Sequence, residues 1–177
     1  MSKIDKLISE FERNVNLPWR KRAAGMQKVW FVVFDPSYER EVRARMDEFK
    51  LVTRRADHTW VQCDLTDAFP EWMAAHEYRE GHFDDPDDLE FIMPDFLEYL
   101  EERVRAHLAE ADDNTLFVLT GVGTLFGFVY VSGLVDAIAS AIPGRLAVFF
   151  PGRHEKNRYR LLDARDGWDY HALPIKV

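Results

Sequence analysis

Residues 113–167 contain a strand–helix–strand pattern that restricts the fold more than any other part of the chain. An apolar run at 115–120 enters the glycine-rich sequence GVGTLFG at 121–127, and a largely apolar helix is predicted at 128–142. A second apolar strand is predicted at 145–150. Strands that alternate with helices in this way are typical of an α/β fold with a parallel sheet.

The rest of the chain extends the same alternation. The predicted elements are an amphipathic helix and linker over 1–28, strands at 29–34 and 60–65, helices carrying Val42–Phe49, Trp72 and Leu97–Leu108, and a C-terminal hairpin turning at Arg165-Asp166-Gly167. Pro94 is expected in the first turn of its helix or at a kink. The sequence therefore predicts one three-layer α/β domain over residues 1–177. Its central sheet is expected to be mostly parallel, with helices on both faces and the hairpin at the edge.

The composition restricts the class of protein. Hydrophobic residues make up 47% of the 177 positions, as in a folded globular domain. The formal net charge of −8 argues against general binding to nucleic-acid phosphates, which requires clustered cations. The one cysteine, Cys63, excludes an internal disulfide and a cysteine-based zinc cluster. With no signal-like block and no apolar run of about 20 residues, the expected location is the cytoplasm.

The glycine-rich sequence is also the best candidate for a ligand site. A turn between a strand and a helix can hold a phosphate on its backbone N–H groups, so Thr120, Gly121 and Gly123 are candidate contacts. The spacing does not match a dinucleotide fingerprint, and no P-loop lysine follows. Asp35, which ends another apolar strand, would join them if the two strands flank a topological switch point. The alternative is that the glycines only permit a tight turn and close packing, and that Asp35 caps a turn.

No segment supplies a catalytic or metal-binding motif. The aspartates at 84–88 near His82 could hold a cation through oxygen ligands, but acidic residues also favour the amino terminus of a helix. The six histidines have no metal-ligand spacing, and no nucleophile motif is present. We therefore expect no catalytic residues, no metal and no cofactor.

A basic, polar loop follows the last strand of the predicted sheet and is the best candidate for partner recognition. Arginine and aromatic residues supply much of the binding energy in protein interfaces. The candidate contacts are Arg153, Asn157, Arg158, Tyr159, Arg160 and Trp168.

Several stretches together resemble one known family. The longest are TGVGTLFGF at 120–128, VSGLVDAIASAI at 131–142 and VFFPGRHEKNRYRLLDARDGW at 148–168, supported by segments at 60–83 and 32–36. They resemble BrxB-type proteins, small components of BREX bacteriophage-defence systems, over nearly the whole chain. The resemblance implies a non-enzymatic accessory subunit that associates with the PglZ protein of the same system. It carries over no catalytic residues.

Three functions are left to compare. The first is an interaction subunit that docks a larger defence protein such as PglZ. The second is a nucleotide- or phosphate-binding regulatory domain that uses Asp35 and the glycine turn. The third, nucleic-acid binding through the basic loop, is disfavoured by the acidic net charge.

Overall fold

The apolar runs of the sequence form a central sheet in the computed structural model, which describes residues 1–76, 81, 84–162 and 167–177. The strands are β1 (Val29–Phe34), β2 (Thr59–Asp64), β3 (Thr115–Thr120), β4 (Arg145–Glu155), β5 (Arg158–Leu161), β6 (Trp168–Asp169) and β7 (Leu173–Ile175). The helices are α1 (Lys3–Val15), α2 (Glu39–Ala44), α3 (Met46–Arg55), α4 (Ala68–Ala75), α5 (Leu89–Leu108) and α6 (Val131–Ala139). The α/β class predicted from the sequence is confirmed.

The central strands lie in the order β2-β3-β4-β1-β7, and each neighbouring pair on this path is parallel. The two central strands β1 and β3 are buried along their whole length, because helices cover both faces. β5 pairs antiparallel with the last residues of β4 and with β6, and β7 returns to the sheet as the strand beside β1. The C-terminal strands therefore lie at the edge, as expected.

Side chains of each strand alternate between two hydrophobic clusters, one on each face of the sheet. On one face, the strands contribute Phe31, Phe117 and Val148, which are covered by α4, α5 and α6. On the other face, the strands contribute Trp30, Val118 and Phe149, which are covered by α1, α2 and α3. The domain thus has three layers, with a helical layer on each side of the sheet.

Two helices differ from the sequence prediction, and in a third the position of Pro94 rules out one of the two expected alternatives. The helix expected through Val42 and Phe49 is broken at Arg45 into α2 and α3. Pro94 lies within α5, beyond its first turn. The helix expected at 128–142 is shorter, because residues before Val131 form turns that bond back to the carbonyl of Leu125.

The apolar face of α6 is buried inside the chain. Its residues Val131, Leu134, Val135 and Ile138 are at most 1% exposed and belong to the cluster that α5 also covers. The wide apolar surface of this helix is therefore covered mainly by the sheet and by α5. Among the described helices, none is long and apolar enough to cross a membrane.

Candidate functional site

The glycine turn lies at the carboxyl edge of the sheet, where the parallel strands end. Gly121 has a φ of 76°, a left-handed conformation that favours glycine. A Cβ at this position would lie 2.5 Å from both the backbone nitrogen and the hydroxyl of Thr66, and 2.7 Å from Oδ1 of Asp64. The turn is pressed against the loop that follows β2, so glycine is required there for close packing.

The neighbouring candidate residues also contact the chain itself. A Cβ at Gly123 would lie 3.2 Å from Cγ of Pro151 and 3.6 Å from Cδ2 of Leu162. Thr120 is 5% exposed, and its hydroxyl accepts a hydrogen bond from Nε2 of Gln62 at 3.4 Å. These positions line the junction between the glycine turn and the strands on either side of it.

Asp35 is exposed and caps a short 3-10 turn, which is the alternative that the sequence left open. Its Oδ1 accepts hydrogen bonds from the hydroxyl of Ser37 at 2.6 Å and from the Ser37 backbone nitrogen at 2.9 Å. These two bonds stabilise the carboxylate and hold the pKa of Asp35 below its ordinary value. The side chain is held locally at the end of β1.

Asp35 and Gly121 do not face each other across one crevice, because β4 lies between β1 and β3. After β1 the chain passes to the face of α2 and α3, and after β4 it passes to the opposite face. The topological switch point is therefore between β1 and β4, two strands that pair directly from Val29 to Phe34.

This switch point is filled by the protein itself. The ring of Phe150 is fully buried, stacks on Phe31 at 5.3 Å and packs edge-on against Tyr159 at 5.9 Å. β4 does not end at residue 150, as the sequence predicted, but continues to Glu155 and pairs with β5. We call residues 152–161 the hairpin; it projects from the edge of the sheet where a cofactor crevice would otherwise open.

The turn of the hairpin consists of Lys156 and Asn157, which have φ values of 49° and 64°. Two successive positive φ values in a two-residue loop define a type I′ turn, whose twist matches that of the flanking strands. Glu155 pairs with Arg158 on either side of this turn. The turn fixes the register and therefore decides which side chains of the hairpin point outward.

The outward side of the hairpin carries most of the predicted partner contacts. Arg153, Asn157, Arg158 and Arg160 are exposed, and Arg153 lies directly opposite Arg160 across the two strands. Like charges in that position repel each other.

Tyr159 is a correction to the sequence prediction. It is 0% exposed, its ring packs edge-on at 4.5 Å against Phe31, and its hydroxyl donates to the carbonyl of Ala172 at 2.9 Å. The side chain anchors the hairpin to the core and cannot contact a partner in this conformation. Strand alternation puts Tyr159 on the inner side, and only knowledge of the register between β4 and β5 could have shown this.

Trp168 and the predicted Asp-Gly turn are only partly described. The backbone of Trp168 pairs with Tyr159, which confirms that the terminal strands meet, but the Trp168 side chain lies outside the described part of the structure. Arg165 and Asp166 also lie outside the described residues.

The sequence prediction missed a polar network at the carboxyl end of β2. Oδ1 of Asp64 accepts from the hydroxyl and the backbone nitrogen of Thr66, at 2.6 and 3.1 Å, and Arg43 donates to the same hydroxyl at 2.6 Å. Partial burial opposes ionisation, but the hydrogen bonds from Thr66 prevail and lower the pKa of Asp64. Arg103 from α5 donates to the carbonyl of Asp64 and also pairs with Glu71. The signal in the sequence was the same as for Asp35, an aspartate that ends an apolar strand and precedes a hydroxyl residue by two positions.

The described residues do not bring together three side chains that could hold a metal ion. Of the acidic cluster, Asp85 accepts a hydrogen bond from the backbone nitrogen of Asp87 just before α5, while His82 lies outside the described residues. Cys63 is fully buried, and burial raises the pKa of its thiol to about 11, which keeps it protonated at neutral pH.

Comparisons with known proteins give no relative from which a role could be carried over. No family model, no curated protein and no solved structure matches the chain. The carboxyl edge, with its filled switch point and projecting hairpin, is therefore the feature from which a function has to be inferred.

Proposed function

We propose that this chain is a non-enzymatic accessory subunit of a BREX-type phage-defence system that docks a larger partner such as the PglZ protein. The defence role rests on the sequence resemblance to BrxB-type proteins. The docking role is supported by one structural observation, the hairpin that projects from the filled switch point. Open α/β sheets ordinarily bind ligands at that point.

The packing at the carboxyl edge favours docking over ligand binding. Phe150 and Tyr159 fill the space between β1 and the hairpin, and both are fully buried. A Cβ at Gly121 or Gly123 would meet the protein's own residues, so at least one side of the glycine turn is covered by the chain itself. The hairpin extends beyond the last paired residues of β1 and β4, and its exposed side is available to a partner.

The charges of the hairpin indicate the kind of contact. Residues 152–161 carry four cations and one acid, although the chain as a whole has a net charge of −8. Arg153 and Arg160 are opposed on its exposed side, and a carboxylate from a partner placed between them would relieve their repulsion. We infer that the partner surface facing the hairpin is acidic.

The experiment is a binding measurement between this chain and the PglZ-type protein. We expect Arg153→Glu and Arg160→Glu each to weaken binding about tenfold or more, because each turns an attraction into a repulsion. Arg55→Glu is the matched control, since Arg55 is an exposed arginine at the end of α3 and carries the same change of charge. If both hairpin variants bind with wild-type affinity, the hairpin is not part of the interface. If the wild-type chain forms no complex with the PglZ-type protein, the proposed function is refuted.

Calorimetry distinguishes docking from the nucleotide- or phosphate-binding alternative. The free chain should give no binding heat with nucleotides and magnesium, because Thr120, Gly121 and Gly123 already pack against their own neighbours. Micromolar binding that disappears in Gly123→Asp would instead favour a regulatory ligand site at the glycine turn.

A further inference from the structure

β2 forms one edge of the central sheet, and β7 forms the other edge of the same path. Edge strands expose unpaired backbone groups, and natural proteins protect them with short length, proline or charge. β7 has such protection, because it is three residues long with Pro174 at its centre. β2 is six residues long, contains no proline and pairs with β3 in continuous register from Thr59 to Asp64.

The hydrogen bonds at the two ends of β2 show which residues face outward. The backbone nitrogen of Thr59 donates to the carbonyl of Asn114 at 3.1 Å, and that of Leu65 donates to the carbonyl of Thr120 at 2.9 Å. In a parallel pair these bonds involve every second residue, so the odd-numbered residues of β2 face β3. The backbone groups of Trp60, Gln62 and Asp64 therefore point away from the sheet.

Most of this outer edge has no partner within the described structure. The carbonyl of Asp64 accepts a hydrogen bond from Arg103 at 3.2 Å. The outward N–H and C=O groups of Trp60 and Gln62 have no hydrogen-bonding partner among the described residues. Gln62 is exposed and Trp60 is half-buried, so an approaching chain can reach this part of the edge.

The charged residue on β2 does not protect the edge. Asp64 is its only ionisable side chain apart from the buried Cys63, and its carboxylate is turned back to Thr66 and lies 3.9 Å from Arg43. At the centre of the strand, Trp60 and Gln62 bond to each other through their side chains at 3.3 Å. On β2 itself no charged side chain therefore flanks Trp60 and Gln62, while Arg103 reaches the end of the strand at the carbonyl of Asp64.

We propose that the outer edge of β2 is a second docking surface, which takes an extended segment of the partner protein as an added strand. This inference rests on the proposed docking function and names a contact separate from the hairpin. The segment would make about four backbone hydrogen bonds with Trp60 and Gln62, as in other cases of strand addition. It would be uncharged at its centre and free of proline, so that its own N–H groups can donate.

A segment of the partner fits this edge better than a second copy of the chain. Among the described residues the open backbone groups belong to Trp60, Gln62 and the N–H of Asp64, so edge-to-edge pairing of two copies would bury far less than the roughly 1,000 Å² that a stable dimer requires. A partner that is already held at the hairpin gains from a small second contact, because the second binding event is then intramolecular.

The test compares Gln62→Pro with Gln62→Thr. Both remove the side chain that bonds to Thr120, but only proline removes the outward N–H. The bonds from β2 to β3 use the odd-numbered residues, so proline at position 62 leaves that ladder in place. We expect Gln62→Thr to bind the PglZ-type protein within about twofold of wild type and Gln62→Pro to bind about tenfold more weakly.

Hydrogen exchange of the wild-type complex gives a readout that requires no variant. The amides of Trp60 and Gln62 should exchange rapidly in the free chain and become protected in the complex. If the complex forms while both amides stay unprotected, or if Gln62→Pro binds as well as Gln62→Thr, the edge inference is overturned and the proposed function stands.

If the wild-type chain does not bind the PglZ-type protein, the proposed function fails and the edge is tested by itself. Random twelve-residue peptides are then selected on the wild-type chain with counter-selection on Gln62→Pro. Enriched peptides that protect the amides of Trp60 and Gln62 would support the edge, and a lack of enrichment would overturn it. Concentration-dependent dimers of the wild-type chain that Gln62→Pro abolishes would assign the edge to a second copy and overturn the inference as well.

Discussion

Gly121 and Gly127 both have a positive φ, at 76° and 82°, but their surroundings differ. A Cβ at Gly121 would collide with Thr66, whereas a Cβ at Gly127 would meet nothing within 4 Å. We expect Gly127→Ala to lower the free energy of unfolding by about 1 kcal/mol, the cost of a side chain in the left-handed region. Gly121→Ala should cost about 2 kcal/mol more, because the loop after β2 must also move.

Urea denaturation of the two variants measures this difference, and Gly127→Ala is the matched control for backbone strain. Equal losses would mean that the loop after β2 yields to a methyl group without cost. The glycine turn would then have room for a ligand, and the packing argument for docking would lose its basis.

At the scale of elements, α1 is joined to the α2–α3 junction by one ion pair. Oδ1 of Asp5 lies 2.7 Å from Nη2 of Arg45, while Oδ2 of Asp5 accepts from the backbone nitrogen of Ser2 and closes a capping box. The hydrogen bond from Ser2 and the contact with Arg45 lower the pKa of Asp5 from 3.8 to about 2. Folding therefore stabilises the charged carboxylate of Asp5 relative to its protonated form.

Because the folded pKa is the lower one, this contribution to stability is complete above pH 3.8 and disappears as the pH falls toward 2. We expect Asp5→Asn to be less stable than wild type at pH 7, with the difference shrinking between pH 4 and pH 2. Denaturant unfolding at several pH values measures this difference in the free energy of unfolding between the variant and wild type. Asp47→Asn, which leaves the contact between Asp5 and Arg45 intact, is the control, and a difference independent of pH would contradict the assignment.

The sequence predicted the presence and type of single elements more accurately than the residues at which they begin and end. β1 and β3 have the expected bounds, 29–34 and 115–120, because each is a short run of buried residues between polar ones. β4 runs five residues past its expected end at 150, since Pro151 and Gly152 resemble a stop signal when pairing with β5 is unknown. The break at Arg45 was missed because Val42, Met46 and Phe49 keep a helical spacing across it.

At the scale of the whole molecule, the order of the strands determines which residues are neighbours at the carboxyl edge of the sheet. That order could not be predicted from the sequence. β1, β3 and β4 are all apolar runs of similar composition, so their side chains do not reveal which pairs with which. The crevice predicted between Asp35 and Gly121 required β1 and β3 to be neighbouring strands. Once β4 stands between them, the same residues line separate parts of the edge, and the filled switch point becomes visible.

The two helical layers lie on opposite faces of the sheet and should contribute to stability independently. Ile4 of α1 belongs to one hydrophobic cluster and Ile138 of α6 to the other, and both are at most 1% exposed. We expect Ile4→Val and Ile138→Val each to cost about 1 kcal/mol. The double variant should lose the sum within about 0.5 kcal/mol, since the two sites share no contact.

Two aromatic residues that are in contact within one layer are expected to behave differently from the two distant isoleucines. The rings of Phe11 and Phe49 lie 5.2 Å apart and edge-on, so replacing both with leucine should cost measurably less than the sum of the single replacements.

All variants should still unfold in one transition, because every central strand places side chains in both clusters and neither layer can leave without exposing the sheet. Two separate transitions, detected as different midpoints by tryptophan fluorescence and circular dichroism, would show instead that the layers are independent folding units, and the prediction of one domain would be wrong.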